Sequence, residues 1–288
     1  MTPQPRTFAE VLTSYERERR SPEREPIRLG WPSIDAELRG IAPGQVLGIA
    51  GRTATGKTWV LASLSANLAV RPGIGALICS LEQTAEEWTE RQAGIFAQVA
   101  PATIEGWAKA GELEHRVSGF AEKFSNVLIL DATTSMAELP EALQAARDRL
   151  SVPLRVVLVD YAGLVSTQGK DAYERASRLA LGLKALAKSE RIAIVAAMQL
   201  SRAGGNGSEP VSRSMLRDSG VLEESVDALL GIWRPGKAAG LDPAETANLE
   251  NVLRCSVLKN RRGRDGATVD LMFNAESRRV YEPEPDRG

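Results

Sequence analysis

Residues 51–58 read Gly51-Arg52-Thr53-Ala54-Thr55-Gly56-Lys57-Thr58, a stretch that fits the phosphate-binding pattern G-x-x-x-x-G-K-[ST]. The preceding residues, 45–50, are mostly apolar and are predicted to form a buried strand. The residues that follow carry Leu61, Leu64 and Leu68 at helical spacing. Strand, glycine-containing loop and helix is the order that the pattern requires. The stretch therefore predicts a nucleotide-binding α/β fold rather than a chance match.

The residue types in this loop match the chemistry of phosphate binding. Glycines let the backbone wrap closely around an anion, so that successive N–H groups and a helix N-terminus face the phosphates. Lys57 is expected to neutralise the β- and γ-phosphates, and Thr58 is expected to ligate Mg²⁺. All residues of the stretch 51–58 are therefore predicted to line a nucleotide site.

Composition excludes several other classes of protein. The chain has 288 residues and a formal net charge of -1, so any contact with nucleic acid must come from local basic clusters. Cys79 and Cys255 lie in apolar runs, which indicates a reducing compartment rather than a disulfide framework or a zinc site. His115 is the only histidine, which excludes a histidine-based triad. No apolar stretch reaches the ~20 residues that span a bilayer, so we expect a cytoplasmic protein without a membrane partner.

Strands and helices alternate along the middle of the chain. Strands are predicted at residues 45–50, 75–80, 127–131, 154–160 and 192–199, with helical patterns between them. The interval from Thr84 to Phe124 is predicted to hold two or three helices. Such alternation predicts a mostly parallel sheet that is covered by helices on both faces. Ligands in sheets of this kind bind at the carboxyl ends of the strands.

The two ends of the chain are predicted to differ from this middle part. Residues 7–20 have the pattern of a short amphipathic helix, which is either a solvated terminus or an arm that docks on a neighbouring subunit. Residues 201–210 are glycine-rich and indicate a loop. The last predicted strands form antiparallel pairs, with a basic hairpin tip at residues 261–266, and lie at residues 228–233, 252–258, 268–273 and 278–281.

Three polar residues follow strands at the predicted ligand edge. Asp160 ends an apolar run and would hold the Mg²⁺ shell through water, although an aspartate in this position is often a helix cap or turn residue. Glu82 would act as a general base toward the attacking water; its alternative role is that of a helix-cap partner for Thr84. Gln199 would sense the γ-phosphate by hydrogen bonding, or else satisfy a buried polar group.

Several blocks of the chain resemble, in order, the RecA-like C-terminal ATPase domain of the DnaB-type bacterial replicative helicases. The resemblance covers about residues 30–281. The blocks are Gly51 to Thr58, Ser80-Leu81-Glu82, Val159-Asp160-Tyr161, residues 183–188, Gln199-Leu200-Ser201-Arg202, Leu216-Arg217-Asp218-Ser219-Gly220 and Lys259-Asn260-Arg261. The resemblance implies a RecA-like P-loop NTPase fold. It also implies a hexameric, ring-forming motor that uses ATP and Mg²⁺ to translocate on single-stranded DNA during DNA replication.

The resemblance assigns roles within the nucleotide site. Lys57 matches the phosphate-binding residue, Glu82 the catalytic glutamate and Gln199 the sensor glutamine. Thr58 and Asp160 match the residues at the Mg²⁺ ion.

The resemblance also assigns residues outside that site. Lys259 and Arg261 match a pair of cations that reaches into the neighbouring subunit's site, where charge delivered in trans stabilises the transferring phosphoryl group. A solvated hairpin tip or a direct DNA contact is the alternative. The residues that match a DNA-gripping loop, with two weaker candidates nearby, are Arg217, Asp218, Gly220, Arg202 and Arg213.

The chain departs from this family in two respects. Only about thirty residues precede the predicted ATPase domain, so we expect no N-terminal collar domain, which puts contact with primase in doubt. Few aromatic residues lie near the proposed DNA loops, so backbone contacts rather than base stacking are predicted. The predicted organisation is a helical arm and linker at residues 1–29, a RecA-like ATPase domain at residues 30–283 and a tail at residues 284–288.

Two other classes of function stay open at this point. One is a RecA- or RadA-like DNA-dependent ATPase that acts in recombination or loading without unwinding. The other is a regulatory module whose oligomeric state is the output. The pair Lys259 and Arg261 and the predicted DNA loop favour the helicase motor, for which replication proteins are expected as partners. The complete set of Lys57, Asp160 and Glu82 disfavours a catalytically inactive module.

Overall fold

A nine-stranded sheet, in the order β3-β2-β4-β5-β1-β6-β7-β8-β9, organises the chain. The computed structural model describes residues 5–132, 134–167, 169–170, 172–200, 207–212, 215 and 225–284. The strands are β1 (Val46–Gly51), β2 (Gly75–Ser80), β3 (Val127–Leu130), β4 (Leu154–Asp160), β5 (Ala193–Gln199), β6 (Ala228–Trp233), β7 (Val252–Asn260), β8 (Thr268–Phe273) and β9 (Val280–Tyr281). The helices are α1 (Phe8–Arg20), α2 (Pro32–Leu38), α3 (Lys57–Ala69), α4 (Ala85–Ala97), α5 (Pro101–Lys109), α6 (Leu113–Arg116), α7 (Phe120–Lys123), α8 (Leu139–Arg149), α9 (Ala172–Glu190) and α10 (Pro243–Leu249).

The sheet is parallel from β3 to β6 and antiparallel from β6 to β9. This arrangement confirms the predicted α/β class, with a mostly parallel sheet and C-terminal antiparallel strands. Strands β1, β2 and β4 are continuously or almost continuously buried because helices cover both of their faces, whereas β3 at the end of the sheet is half-buried. They are also the apolar runs that the sequence predicts.

Alternate residues of the strands face two separate cores. Leu47 and Ile49 of β1 pack with the α3 residues Leu61, Leu64 and Leu68 on one face. On the opposite face, Val46 and Ala50 pack with residues of α8 and α9. Among the residues that the structure describes, no helix is both long enough and apolar enough to cross a membrane.

The prediction of two or three helices between residues 84 and 124 is wrong. This interval holds four helices, α4 to α7, and the last two are only four residues each. Gly111 and Gly119 adopt positive φ angles of 71° and 83° at the breaks before them. Such angles suit glycine and end a helix, so the pattern is divided into shorter pieces.

The segment before α2 is tied into the body of the molecule. Ile27 forms a bridge with Ile41, and the indole N–H of Trp31 donates to the Val280 carbonyl at 3.2 Å. Ile27 and Leu29 are buried, although both precede the predicted domain start at residue 30. Helix α1, by contrast, is exposed along most of its length.

Candidate active site

The carboxyl ends of the parallel strands bring most of the predicted nucleotide residues together, whereas Gly51, Arg52 and Thr55 of the loop do not line the cavity there. Gly51 at the end of β1 pairs with Gln199 of β5, and Ser80 at the end of β2 pairs with Asp160 of β4. A cavity of about 420 Å³ opens at this edge. Its lining residues are Thr53, Ala54, Gly56, Lys57, Thr58, Trp59, Glu82, Arg91, Asp160, Tyr161, Gln199, Arg234, Phe273 and Arg278.

The loop between β1 and α3 has the backbone shape that phosphate binding requires. Gly56 has a φ of 108°, and a Cβ at this position would lie 2.6 Å from Cζ of Phe273. Only glycine meets both conditions without strain. Helix α3 begins at the next residue, so the unpaired N–H groups of its first turn and its positive dipole end lie at the cavity.

Lys57 is held at the mouth of this loop by the loop's own carbonyl groups. Its Nζ donates to the carbonyl oxygens of Gly51 and Arg52, each at 2.9 Å. Burial lowers the pKa of Lys57 to about 8, and the nearby carboxylates of Asp160 and Glu82 oppose that shift. A phosphate group would replace the two carbonyl contacts with a charge-assisted interaction.

Asp160 is a buried carboxylate with an unused oxygen. The residue is 2% exposed, and its Oδ2 atom has no hydrogen-bond partner among the described residues. Burial raises the pKa of Asp160 to about 6, partly offset by a hydrogen bond from the Thr58 side chain. An oxygen that is buried beside a hydroxyl, without a partner, fits the outer shell of a divalent cation.

The metal would depend on the nucleotide for most of its ligands. Within the described ranges, the side chains of His, Cys, Asp and Glu form no group of three or more that could hold a metal ion alone. Mg²⁺ is commonly held by one or two protein groups together with substrate phosphates and water, so the pair Thr58 and Asp160 fits that mode of binding.

Glu82 and Gln199 occupy the positions that the sequence predicts at this edge. Glu82 is exposed and lines the cavity. The cap of α4 is completed by Thr84 and Glu87, whose side chains and backbone N–H groups bond reciprocally, so Glu82 is not the cap partner. Gln199 is also exposed, and its Nε2 donates to Thr53 Oγ1 at 2.9 Å, which disagrees with the alternative of a buried polar group.

Six lining residues were not predicted from the sequence as site residues. Trp59 and Tyr161 directly follow Thr58 and Asp160, so adjacency to the motifs was an available signal. The others reach the cavity only through the tertiary fold, and they are Arg91, Arg234, Phe273 and Arg278.

Two cations among these lining residues stack on aromatic rings. The Arg91 guanidinium lies 4.1 Å from the ring centre of Trp59, and the Arg234 guanidinium lies 4.9 Å from that of Phe273. Burial lowers the pKa of both arginines. The cavity is therefore rimmed by cations on the side of α4 and on the side of the antiparallel strands, which favours an anionic ligand.

The model of the DnaB-like helicase C terminal domain matches residues 27–282. The chain belongs to this family. It is 29% identical over 277 residues to the replicative DNA helicase DnaB of Buchnera aphidicola subsp. Schizaphis graminum, covering 92% of this chain and 57% of that protein. The replicative DNA helicase DnaB of Haemophilus influenzae is 27% identical, with 87% of this chain and 54% of that protein covered. The chain thus spans somewhat more than half the length of these relatives.

Two solved structures share the fold. The ATPase domain of G40P superposes with a TM-score of 0.82 at 22% identity, over 98% of this chain and all of that one. A DnaB-like replicative helicase, described with its interactions with primase, gives a TM-score of 0.81 at 22% identity, over 97% of this chain and 69% of that one. These matches agree with the RecA-like fold that the resemblance implies.

Lys259 and Arg261 do not line the cavity of this DnaB-like domain. Strand β7 runs antiparallel to β6, and the Arg261 N–H donates to the Asp227 carbonyl, beside the start of β1. The phosphate loop follows the other end of β1, roughly 17 Å away at the usual rise per residue. The two cations therefore lie at the opposite edge of the sheet from the cavity.

The predicted DNA-contacting residues cannot be placed in the same way. Arg202, Arg213, Arg217, Asp218 and Gly220 lie outside the described residues.

Proposed function

We propose that this chain hydrolyses ATP as one subunit of a homo-oligomeric ring, of six copies, that translocates along single-stranded DNA and unwinds duplex DNA. The observation that carries the proposal is the division of the site. Five candidate residues line the cavity at one edge of the sheet, and they are Lys57, Thr58, Glu82, Asp160 and Gln199. Lys259 and Arg261 lie at the other edge. Membership of the DnaB-like helicase family supports the same function.

In this proposal the loop 51–58 holds the phosphates of ATP. The residues Gly51, Arg52, Thr53, Ala54, Thr55 and Gly56 would surround the β-phosphate through backbone N–H groups. Lys57 would exchange its carbonyl contacts for the β- and γ-phosphates. Thr58 directly, and Asp160 through water, would hold Mg²⁺, which when bound neutralises charge on the phosphate oxygens.

Hydrolysis would follow from the placement of Glu82 and Gln199. The Glu82 carboxylate would accept a proton from a water molecule whose oxygen attacks the γ-phosphorus. The bond from the γ-phosphorus to the bridging oxygen breaks, and ADP and inorganic phosphate are released. Gln199, which already donates a hydrogen bond to Thr53 of the loop, would also hydrogen-bond the γ-phosphate. Loss of the phosphate would then change the contacts at the end of β5.

Arg261 and Lys259 would complete the site of the next subunit. Their distance from their own cavity excludes a role there, and a cation delivered in trans stabilises the charge of the transferring phosphoryl group. A subunit with the cavity at one edge and the cations at the other forms head-to-tail contacts, which close into a ring when the rotation permits. The proposed hexamer is such a ring.

Contact with DNA remains a prediction of the sequence. Arg217, Asp218 and Gly220, with Arg202 and Arg213, would grip the phosphate backbone in the channel. Since the arginine contacts neutralise phosphates, binding should weaken steeply with salt and depend little on base sequence.

The test is a strand-displacement assay on a forked duplex, beside measurements of ATP hydrolysis with and without single-stranded DNA. The Glu82→Gln variant serves as the control, because it should bind nucleotide normally while hydrolysis falls by about 100-fold or more. We expect the unaltered chain, and not this variant, to displace the strand. DNA-stimulated hydrolysis without any displacement would contradict the helicase and favour the DNA-dependent ATPase that acts without unwinding.

A further inference from the structure

We infer that Asp227 positions Arg261 for its reach into the neighbouring subunit, with Lys184 balancing the charge of Asp227. This inference rests on the proposed function, in which Arg261 acts in trans. It concerns a buried carboxylate that lies at the other edge of the sheet from the nucleotide cavity.

The backbone of Asp227 joins β1 to the end of β7. Its N–H donates to the Val46 carbonyl, and its own carbonyl accepts from the Arg261 N–H, both at 2.9 Å. Asp227 directly precedes β6, and Arg261 directly follows β7. The main chain of Arg261 is therefore fixed to the central strand that leads, at its other end, into the phosphate loop.

The two carboxylate oxygens of Asp227 make different contacts. Oδ2 accepts from Lys184 Nζ at 2.6 Å and from the Val46 N–H at 2.8 Å. Lys184 Nζ also donates to the Gly44 carbonyl at 2.8 Å, which fixes the lysine beside β1. Oδ1 faces the Arg261 guanidinium, 3.6 Å from its Nη1. One oxygen is thus fixed in the body of the subunit while the other faces Arg261.

Burial distinguishes the two cations. The Asp227 side chain is 10% exposed and that of Lys184 is 22% exposed, whereas the Arg261 side chain is 50% exposed. The close contact with Lys184 neutralises the buried carboxylate, so Arg261 is not required for that purpose. The 3.6 Å contact between Asp227 Oδ1 and the Arg261 guanidinium instead restricts the arginine to a few rotamers, while half of its side-chain surface stays exposed.

Restricting a long side chain before it meets its partner reduces the entropy lost on contact. Without the Asp227 contact, more of the Arg261 side chain would have to be ordered each time it reaches the neighbouring site. Replacing Asp227 by asparagine should therefore lower kcat for ATP hydrolysis by about 3- to 10-fold, since immobilising such a side chain has a cost of that order. The KM for ATP should change by less than about 2-fold, because the cavity of the altered subunit is intact.

The experiment compares Asp227→Asn with Asp270→Asn. Asp270 is a matched control because its carboxylate also pairs with an arginine, Arg254 of β7, at 2.6 and 2.7 Å. This pair does not include Lys259 or Arg261. Each variant is assayed alone and after subunit exchange with excess Lys57→Ala protein, which has a dead site but intact Asp227 and Arg261. Every rate is divided by that of unaltered protein under the same conditions.

We expect the relative rate of Asp227→Asn to rise toward one in the mixture, because its sites then receive an arginine from an intact neighbour. The Asp270→Asn control should stay near one in both assays. An unchanged kcat, or a defect that persists in the mixture, would overturn the inference. If the asparagine variant has a lowered Tm, Asp227→Glu, which keeps the charge but moves it by one methylene, must show the same rescue.

A third mixture separates this inference from the proposed function. Arg261→Ala protein is exchanged with the same excess of Lys57→Ala protein. If its activity is not restored, the shared site itself is refuted. If it is restored and the Asp227→Asn defect is not, only the role of Asp227 is refuted.

Discussion

Asp160 shows how a residue placed for function can reduce stability. Its carboxylate is buried with one oxygen that has no hydrogen-bond partner among the described residues. Burial raises its pKa from 3.8 to about 6, so the folded protein holds the proton more tightly than the unfolded chain does. A folded-state pKa above the unfolded one contributes stability that is complete at low pH and is lost as the pH rises through about 6.

The Asp160→Asn variant should consequently be more stable than the unaltered protein at pH 8 when nucleotide and Mg²⁺ are absent. The neutral amide avoids burying a charge, and the expected gain in the free energy of unfolding is about 2 kcal/mol. The gain should shrink as the pH is lowered through about 6. Urea denaturation at pH 8 and pH 5 measures it.

A matched control for this comparison is Asp148→Asn, at an exposed position on α8. Its stability should follow that of the unaltered protein at both values of pH. A gain for Asp160→Asn that is equal at the two values, or absent at pH 8, would contradict the assignment of a buried carboxylate with a raised pKa.

The residues that could be predicted are those that end a strand or belong to a local motif. Asp160 and Gln199 each end an apolar run, so their place at the carboxyl edge follows from the parallel sheet alone. Lys57 begins α3 and was found from the pattern of the loop after β1. Arg91 and Phe273 could not be found in this way. Their contact with the cavity depends on how α4 and the antiparallel strands pack, which local pattern does not encode.

Secondary-structure elements show the same division. The parallel strands were predictable because each is a short apolar run between polar segments. The antiparallel pairing of the C-terminal strands was predicted as well, but not the register of β6 with β7, which places the Arg261 N–H at the Asp227 carbonyl beside the start of β1. The division of residues 84–124 into four helices was also not predicted, since α6 and α7 are single turns with too few residues to show a helical period.

Helix α1 is an element with a complete cap and an unusually exposed apolar face. Thr7 and Glu10 form a capping box, and these contacts lower the pKa of the Glu10 carboxyl. Phe8 is 94% exposed and Leu12 is 61% exposed, and with Val11 and Tyr15 they recur at helical spacing on one side. Such a face suits an arm that docks on a neighbouring subunit, the reading that the sequence left open.

The Leu12→Ala variant should weaken assembly without altering the folded subunit. Removing most of an apolar side chain from a buried contact should lower the association constant by about 10- to 100-fold. Sedimentation velocity over a range of concentrations measures this loss. The control is Arg17→Ala on the opposite, exposed side of α1, which should assemble normally. Equal assembly of the two variants would identify α1 as a solvated terminus.

At the scale of the whole molecule, the sheet separates the two halves of the proposed site. The cavity with Lys57 and Glu82 lies at the carboxyl ends of the parallel strands, whereas Arg261 lies at the start of β1. In the proposed ring, one subunit would therefore present an incomplete site at one edge and the cation that completes its neighbour's site at the other. This polarity is the reason to expect that an isolated subunit hydrolyses ATP poorly.

Mixing two inactive variants tests this claim most directly. Arg261→Ala protein keeps an intact cavity, and Lys57→Ala protein keeps an intact Arg261, so each should be nearly inactive alone. After subunit exchange at equal amounts, roughly a quarter of head-to-tail junctions should join an intact cavity to an intact arginine. We predict ATP hydrolysis well above the sum of the separate rates. A rate equal to that sum, with normal assembly and nucleotide binding by the Arg261→Ala protein, would contradict the shared site.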